Sequence, residues 1–276
     1  MGKKRTMKTA LTIAGSDSSG GAGLQADIKA MEFNGVYAMS AVTALTAQNT
    51  LGVQGIFDVP EQFLAQQINS VFEDIRPDAV KVGMVSSAAL VQTIAERMRF
   101  YQPRWLIVDP VMVATSGAVL ITDEAIAALK TSLFPLADLL TPNIPEAQVI
   151  AGTTISDAAD MVRAARTLAQ IYHTAVLVKG GHARKDANDV LVTADGYEQW
   201  FTGVRVNTTN THGTGDTLAS SIAANLAKGF PLPDAVARAK SYVSAALADG
   251  LDVGAGSGPM NHAWAVMDTE YGMQMH

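Results

Sequence analysis

Short apolar runs alternate along this chain with longer segments in which apolar positions recur every three to four residues. The short runs occupy residues 11–14, 41–45, 79–83, 105–109, 139–141 and 175–179, and Trp105-Leu106-Ile107-Val108 is the cleanest of them. Near-continuous apolar runs of this kind suit parallel strands covered on both faces. Between them the helical period is plain at 62–72, where Phe63, Leu64, Ile68, Val71 and Phe72 form one stripe behind Pro60 and Glu61. Residues 24–32, 88–98, 123–133, 157–172, 217–226 and 233–247 also read as helices, the fourth of these with Ser156 as its expected cap. Residues 189–201 differ: two β-like runs flank Asp195-Gly196, which predicts a hairpin. Strand–helix alternation over most of the chain implies an α/β sandwich of three layers, helices on either side of a mainly parallel sheet. Such sheets bind ligands beyond the carboxyl ends of their strands. The ends to watch are Gly15-Ser16-Asp17, Gln48-Asn49, Gly83-Met84, Asp109-Pro110, Thr141-Pro142-Asn143 and Lys179-Gly180-Gly181.

Composition narrows the classes. The chain has 276 residues, 48% of them hydrophobic, and neither an internal repeat nor a linker long enough to divide it. Residues 8–276 are expected to form one domain behind a disordered basic leader, 1–7. There is no cysteine, which excludes a disulfide scaffold, a cysteine-held zinc or iron–sulfur site and a thiol nucleophile, and is compatible with a cytoplasmic location. A net charge of −6 argues against a nucleic-acid partner. The apolar run at 10–14 ends at Gly15, too early for a secretory signal, and no stretch approaches the roughly 18 apolar residues of a membrane span.

Four segments carry candidate chemistry. Gly15-Ser16-Asp17-Ser18-Ser19-Gly20-Gly21-Ala22-Gly23 follows a strand and opens a helix. Glycines there let backbone approach a ligand, although an ordinary turn has the same look; Asp27 either offsets the helix dipole or faces the ligand. Thr211-His212-Gly213-Thr214-Gly215-Asp216 leads into an apolar helix. Successive amides of such a turn form a nest for an anion, and an aspartate beside it can take a proton from a substrate hydroxyl. That pairing suits phosphoryl transfer to an alcohol, whereas the plainer reading has Asp216 capping the helix. His212 serves structure or catalysis. Thr141-Pro142-Asn143-Ile144-Pro145-Glu146 offers an amide and a carboxylate suited to Mg²⁺, or merely a helix start. Lys179 leaves a buried strand into two glycines, as a phosphate ligand or a snorkelling lysine. Walker A, protein-kinase, G-x-S-x-G and H-E-x-x-H motifs are absent.

Taken together, LTIAGSDSSGGAGLQADIKA, TALTAQNTLGV, KVGM, VDPVM with the following SG, TPNIPEA, VKGGH and NTHGTGDTLASSIA resemble the ribokinase-like superfamily. Within it they are most similar to bacterial hydroxymethylpyrimidine/phosphomethylpyrimidine kinases of thiamine biosynthesis, over residues 8 to 260. The resemblance implies a ribokinase-like sandwich that uses ATP and Mg²⁺ to phosphorylate 4-amino-5-hydroxymethyl-2-methylpyrimidine and then its monophosphate. It implies that Gln48 reads the pyrimidine edge, with Asp27 and the backbone at Gly15 and Ala22 on the polar rim and Met84 and Val111 against the ring. Gly213, Thr214 and Gly215 would form the anion hole, and Lys179 would meet the ATP phosphates. Glu146 and Asn143 would hold magnesium through water, with Asp109 nearby. A small-molecule substrate and a homodimer are implied as well. The chain departs from the family at Asp216, where cysteine is usual. Pyridoxal, pyridoxine and pyridoxamine are the alternative substrates, since they too are flat heteroaromatic alcohols. A catalytically silent pyrimidine-binding protein is a third reading, which the presence of Asp216, Gly213, Gly215 and Glu146 disfavours.

Overall fold

A computed structural model describes residues 6–113, 120–181, 187–269 and 272–275, with the backbone alone from 267 onward. The predicted strands are all present: β1 (Thr9–Asp17), β2 (Tyr37–Asn49), β4 (Ala79–Val82), β5 (Leu106–Val108), β6 (Leu139–Leu140) and β7 (Ala175–Val178). The expected hairpin forms as β8 (Asp189–Val192) and β9 (Glu198–Phe201). The reading above missed β3 (Gly52–Asp58), which pairs antiparallel with β2 at the sheet edge, and a separate ribbon of β10 (Val266–Thr269) and β11 (Gly272–Met275).

The helices are α1 (Gly23–Phe33), α2 (Glu61–Asp74), α3 (Ala88–Tyr101), α4 (Asp123–Ala128), α5 (Ile144–Ala151), α6 (Ala158–Tyr172), α7 (Thr214–Ala227) and α8 (Leu232–Ala248). The helix expected over 123–133 loosens after Ala128 into one wide turn, Leu129–Leu133, and a tight one, Phe134–Leu136, at Pro135. Asp157 rather than Ser156 caps α6: its side chain accepts the Asp160 N–H, and Asp160 in turn accepts the N–H of Ser156.

Nine strands form one sheet in the order β3-β2-β1-β4-β5-β6-β7-β8-β9, parallel from β2 through β7. Alternate residues of each strand feed opposite cores. Leu106 and Val108 pack with α2 to α6, while Ile107 packs with α1, α7 and α8. The chain winds outward from β1 through β2 to β3, then returns to lay β4 on the other side of β1. That reversal opens a crevice at the carboxyl ends of β1 and β4.

Candidate active site

At the crevice a lysine lies inside a strand. All four residues of β4 are buried, Lys81 among them. Its ammonium is 2.9 Å from both carboxylate oxygens of Asp27 on α1 and 2.9 Å from Asp216 Oδ1 on α7. A buried charge is tolerated only when paired and hydrogen-bonded, and these aspartates supply that. Asp27 is fully buried and also accepts from Thr12 and Ser220. Expected on the polar rim of a pocket, it lies beneath the site with its oxygens committed. Burial raises its carboxyl to about 6, against the pull of Lys81. Asp216 is the member of the triad open to the crevice, its side chain 14% exposed. Burial opposes its charge, but Lys81 and the Gly23 N–H, 3.1 Å from Oδ2, hold it below the usual carboxylate range.

The plain capping role does not apply to Asp216. The cap position of α7 is Gly213, at φ +77°, and Asp216 lies in the first turn. A Cβ on Gly213 would fall 2.0 Å from the Gly21 carbonyl oxygen. Glycine there lets the two glycine loops press together, with Thr214 and Gly215 opening the helix. First-turn amides of a helix lack intrahelical partners and point outward.

Asp17, at the end of β1, organises the first loop. It accepts the N–H groups of Ser19, Gly21 and Ala22 and lies 2.8 Å from His212 Nε2. Burial works against its charge, but these bonds prevail and hold the carboxyl at about 2. His212 thus has a structural link between the loops, and its Nε2 is also 3.0 Å from the Gln48 side-chain amide at the end of β2. Gly15 packs on Met84, where a Cβ would lie 2.7 Å from the methionine Cε. Val111, half-buried, follows Asp109 beyond β5. The structure therefore gathers Gly15, Ala22, Gly213 and Asp216 around the crevice, with Gln48 joined through His212 and Met84 through Gly15.

On the α7 side, Lys179 leaves β7 and reaches Asp109 Oδ1 at 2.7 Å, while the Thr141 hydroxyl donates to the same carboxylate at 2.9 Å. A Cβ on Gly215 would lie 3.3 Å from Lys179 Nζ, which puts this ion pair against the first turn of α7. Asn143 and Glu146 form a reciprocal capping box at the start of α5. Glu146 is 6% exposed, and burial raises its carboxyl to about 7, against Lys179. The cap uses the single side-chain oxygen of Asn143 and one of the two of Glu146. Among the described residues no group of three or more carboxylates or histidines is placed to hold a metal. This donor set fits a hydrated Mg²⁺ that takes few protein ligands. Beyond Gly180 and Asn188, a cavity of about 500 Å³ opens between β9 and α8, lined in part by Trp200, Val204, Val206 and Ser244.

Sequence reasoning gave Lys81 no role. Its signal was a charged residue inside an apolar strand, which requires buried partners. Asp17, Thr12 and Ser220 were likewise unassigned. The glycine-rich stretch at 250–258 packs through Gly254 and Gly256 on Thr50. His182, Ser116 and Gly117 lie outside the described residues.

Comparison with known proteins identifies the family. The family model for phosphomethylpyrimidine kinase matches residues 17–261. The chain is 50% identical to the thiamine biosynthesis bifunctional protein ThiED of Geobacter sulfurreducens over 94% of its own length, and it spans 53% of that longer protein. It is 46% identical to the hydroxymethylpyrimidine/phosphomethylpyrimidine kinase of Bacillus subtilis, covering 92% of this chain and 94% of that one. Among solved structures, an ADP complex of Bacillus subtilis pyridoxal kinase superposes with a TM-score of 0.86 at 32% identity, covering 94% of this chain and 98% of that one. With a ribokinase-like sheet and a family match over most of its length, the chain belongs to the phosphomethylpyrimidine kinase family.

Proposed function

We propose that this kinase transfers the γ-phosphoryl group of ATP to the hydroxyl of 4-amino-5-hydroxymethyl-2-methylpyrimidine, and then a second phosphoryl group to the monophosphate. The observation that carries the reading is Asp216, an ionised carboxylate open to the crevice at the first turn of α7. Asp216 takes the hydroxyl proton, and the alcohol oxygen attacks the γ-phosphorus as ADP leaves. The first-turn amides of α7, from Gly215 onward, face the charge on the transferred group, with Lys179 beside them, while the Thr214 N–H is taken by the Thr211 carbonyl. Gln48 reads the polar edge of the ring, while Gly15 and Ala22 bring backbone close and Met84 and Val111 pack on its face. Glu146 and Asn143, next to Asp109, would hold the water shell of a magnesium ion, which would supply positive charge to offset that of the phosphates.

Pyridoxal is the alternative substrate, favoured by the structural likeness to pyridoxal kinase. Lys81 is the lysine nearest the proposed base, but it is fully buried between two aspartates and offers no free amine to an aldehyde. Coupled assays with both alcohols decide: kcat/KM favouring pyridoxal reverses the order.

The wider reading is a single kinase domain over 8–276, cytoplasmic, with no nucleic-acid partner. No described helix is long and apolar enough to cross a membrane. Leu45, Leu51, Ile56, Phe57 and Phe63 are exposed around the edge strand β3, which suits a second copy of the chain covering that edge. Light scattering at twice the monomer mass is the expected result.

A further inference from the structure

A carboxylate held by a lysine is reliably charged but is a weak base. If Lys81 had only Asp216 as its partner, protonating Asp216 would strand a buried ammonium without a counterion, a costly state. The geometry instead gives Lys81 a second carboxylate, Asp27, with both oxygens at 2.9 Å. We propose that Asp27 is a positioning residue for phosphorylation of the neutral alcohol: it keeps Lys81 neutralised while Asp216 takes the proton, and so makes Asp216 a competent base. This deepens the reading of Asp216 given above and rests on it.

The charge count supports this. One ammonium and two carboxylates carry a net negative charge, and capture of one proton brings the cluster to neutrality. The surrounding groups do not alter that count. From β5 and β7, Asp109 and Lys179 pair with each other. Thr12 on β1 and Ser220 on α7 donate to Asp27 without charge. His262, bonded to Thr217, is kept neutral by burial, its pKa near 4 with Lys29 adding to the effect. Two carboxylates sharing one lysine take up their first proton as a pair, and burial places Asp27 at about 6. The second phosphorylation starts from an anionic phosphate monoester, needs no base, and is indifferent to this device.

The test is the pH dependence of kcat for each phosphorylation with MgATP, in the wild type, Asp27→Asn, Ser220→Ala and Asp216→Asn. Substrate titrations are common to all four, so the displacement between them is what counts. Asp27→Asn removes the like charge, so the acid limb of the first step moves to lower pH and its plateau falls about 10–100-fold. The second step changes less than about threefold, because no base is involved. Ser220→Ala removes a donor from the charged form, so the acid limb moves up, by roughly half to one pH unit. The serine variant decides the matter if Asp27→Asn does not fold. Equal slowing of both steps by Asp27→Asn, or a limb that stays in place in the folded variants, overturns the proposal. A first step insensitive to Asp216→Asn removes the base itself, which is a different failure.

Discussion

At the scale of single residues, the chemistry turns on Asp216, which meets Lys81 rather than capping its helix. The two phosphorylations ask different things of that residue. A neutral alcohol gains from a base, whereas a phosphate monoester is already anionic and is repelled by a fixed carboxylate. Asp216→Asn is therefore expected to slow the first step by about 10²–10⁴-fold, with a smaller effect on the second. Asp216→Cys is expected to shift the ratio of the two rates toward the second. Rapid-quench product analysis of each step measures both, and an equal response of the two steps to Asp216→Asn contradicts the assignment. Asp216 was legible in the sequence because Gly-Thr-Gly-Asp before an apolar helix is local chemistry. Lys81 was not, since its partners come from α1 and α7, 54 and 135 residues away. Asp27 was legible as a residue of interest but was placed on the wrong side of the pocket surface. Only the packing of α7 onto α1, through Ser220, shows that its carboxylate is enclosed.

At the scale of elements, helix starts place the site groups. Gly213 belongs to the cap of α7 and also to the contact with Gly21. Gly213→Ala puts a Cβ into a carbonyl oxygen and a side chain at positive φ, so the loops must part. The expected outcome is a lower melting temperature together with a raised KM for the alcohol, read by thermal unfolding and steady-state kinetics. Asn143→Ala removes half of the α5 capping box and should cost about 0.5–2 kcal/mol, checked by chemical denaturation. It also removes the amide beside Glu146, whose own bond to the residue-143 backbone N–H persists, so the magnesium concentration needed for half-maximal rate should rise. The parallel strands and most helices were readable from periodicity because each buries a continuous run or stripe. Edge strand β3 was not, because Gly52, Gly55 and exposed Ile56 and Phe57 break the alternation that a half-buried strand shows. The wide turn after Ala128 has no periodic signature of its own.

At the scale of the whole molecule, the buried charges tie stability to pH and to ligand. Glu146 is raised from 4.5 to about 7 by burial. Its protonated form suits the fold, so the free protein loses stability as pH rises across that interval, on the order of 3 kcal/mol. Asp17 has the opposite sign: held at about 2 against 3.8, it contributes stability above pH 4 that is lost as pH falls through its folded value. A cation beside Glu146 offsets the first loss. The thermal shift produced by magnesium with a nucleotide should therefore be larger at pH 8 than at pH 5.5, and Glu146→Gln should erase most of that difference. The central claim concerns what leaves the crevice. Incubation with MgATP and 4-amino-5-hydroxymethyl-2-methylpyrimidine, with the mono- and diphosphate quantified separately and pyridoxal run in parallel, tests it most directly. Monophosphate appearing first, diphosphate following, and kcat/KM for the pyrimidine exceeding that for pyridoxal are the expected results. Tight pyrimidine binding without turnover, or a preference for pyridoxal, would contradict it.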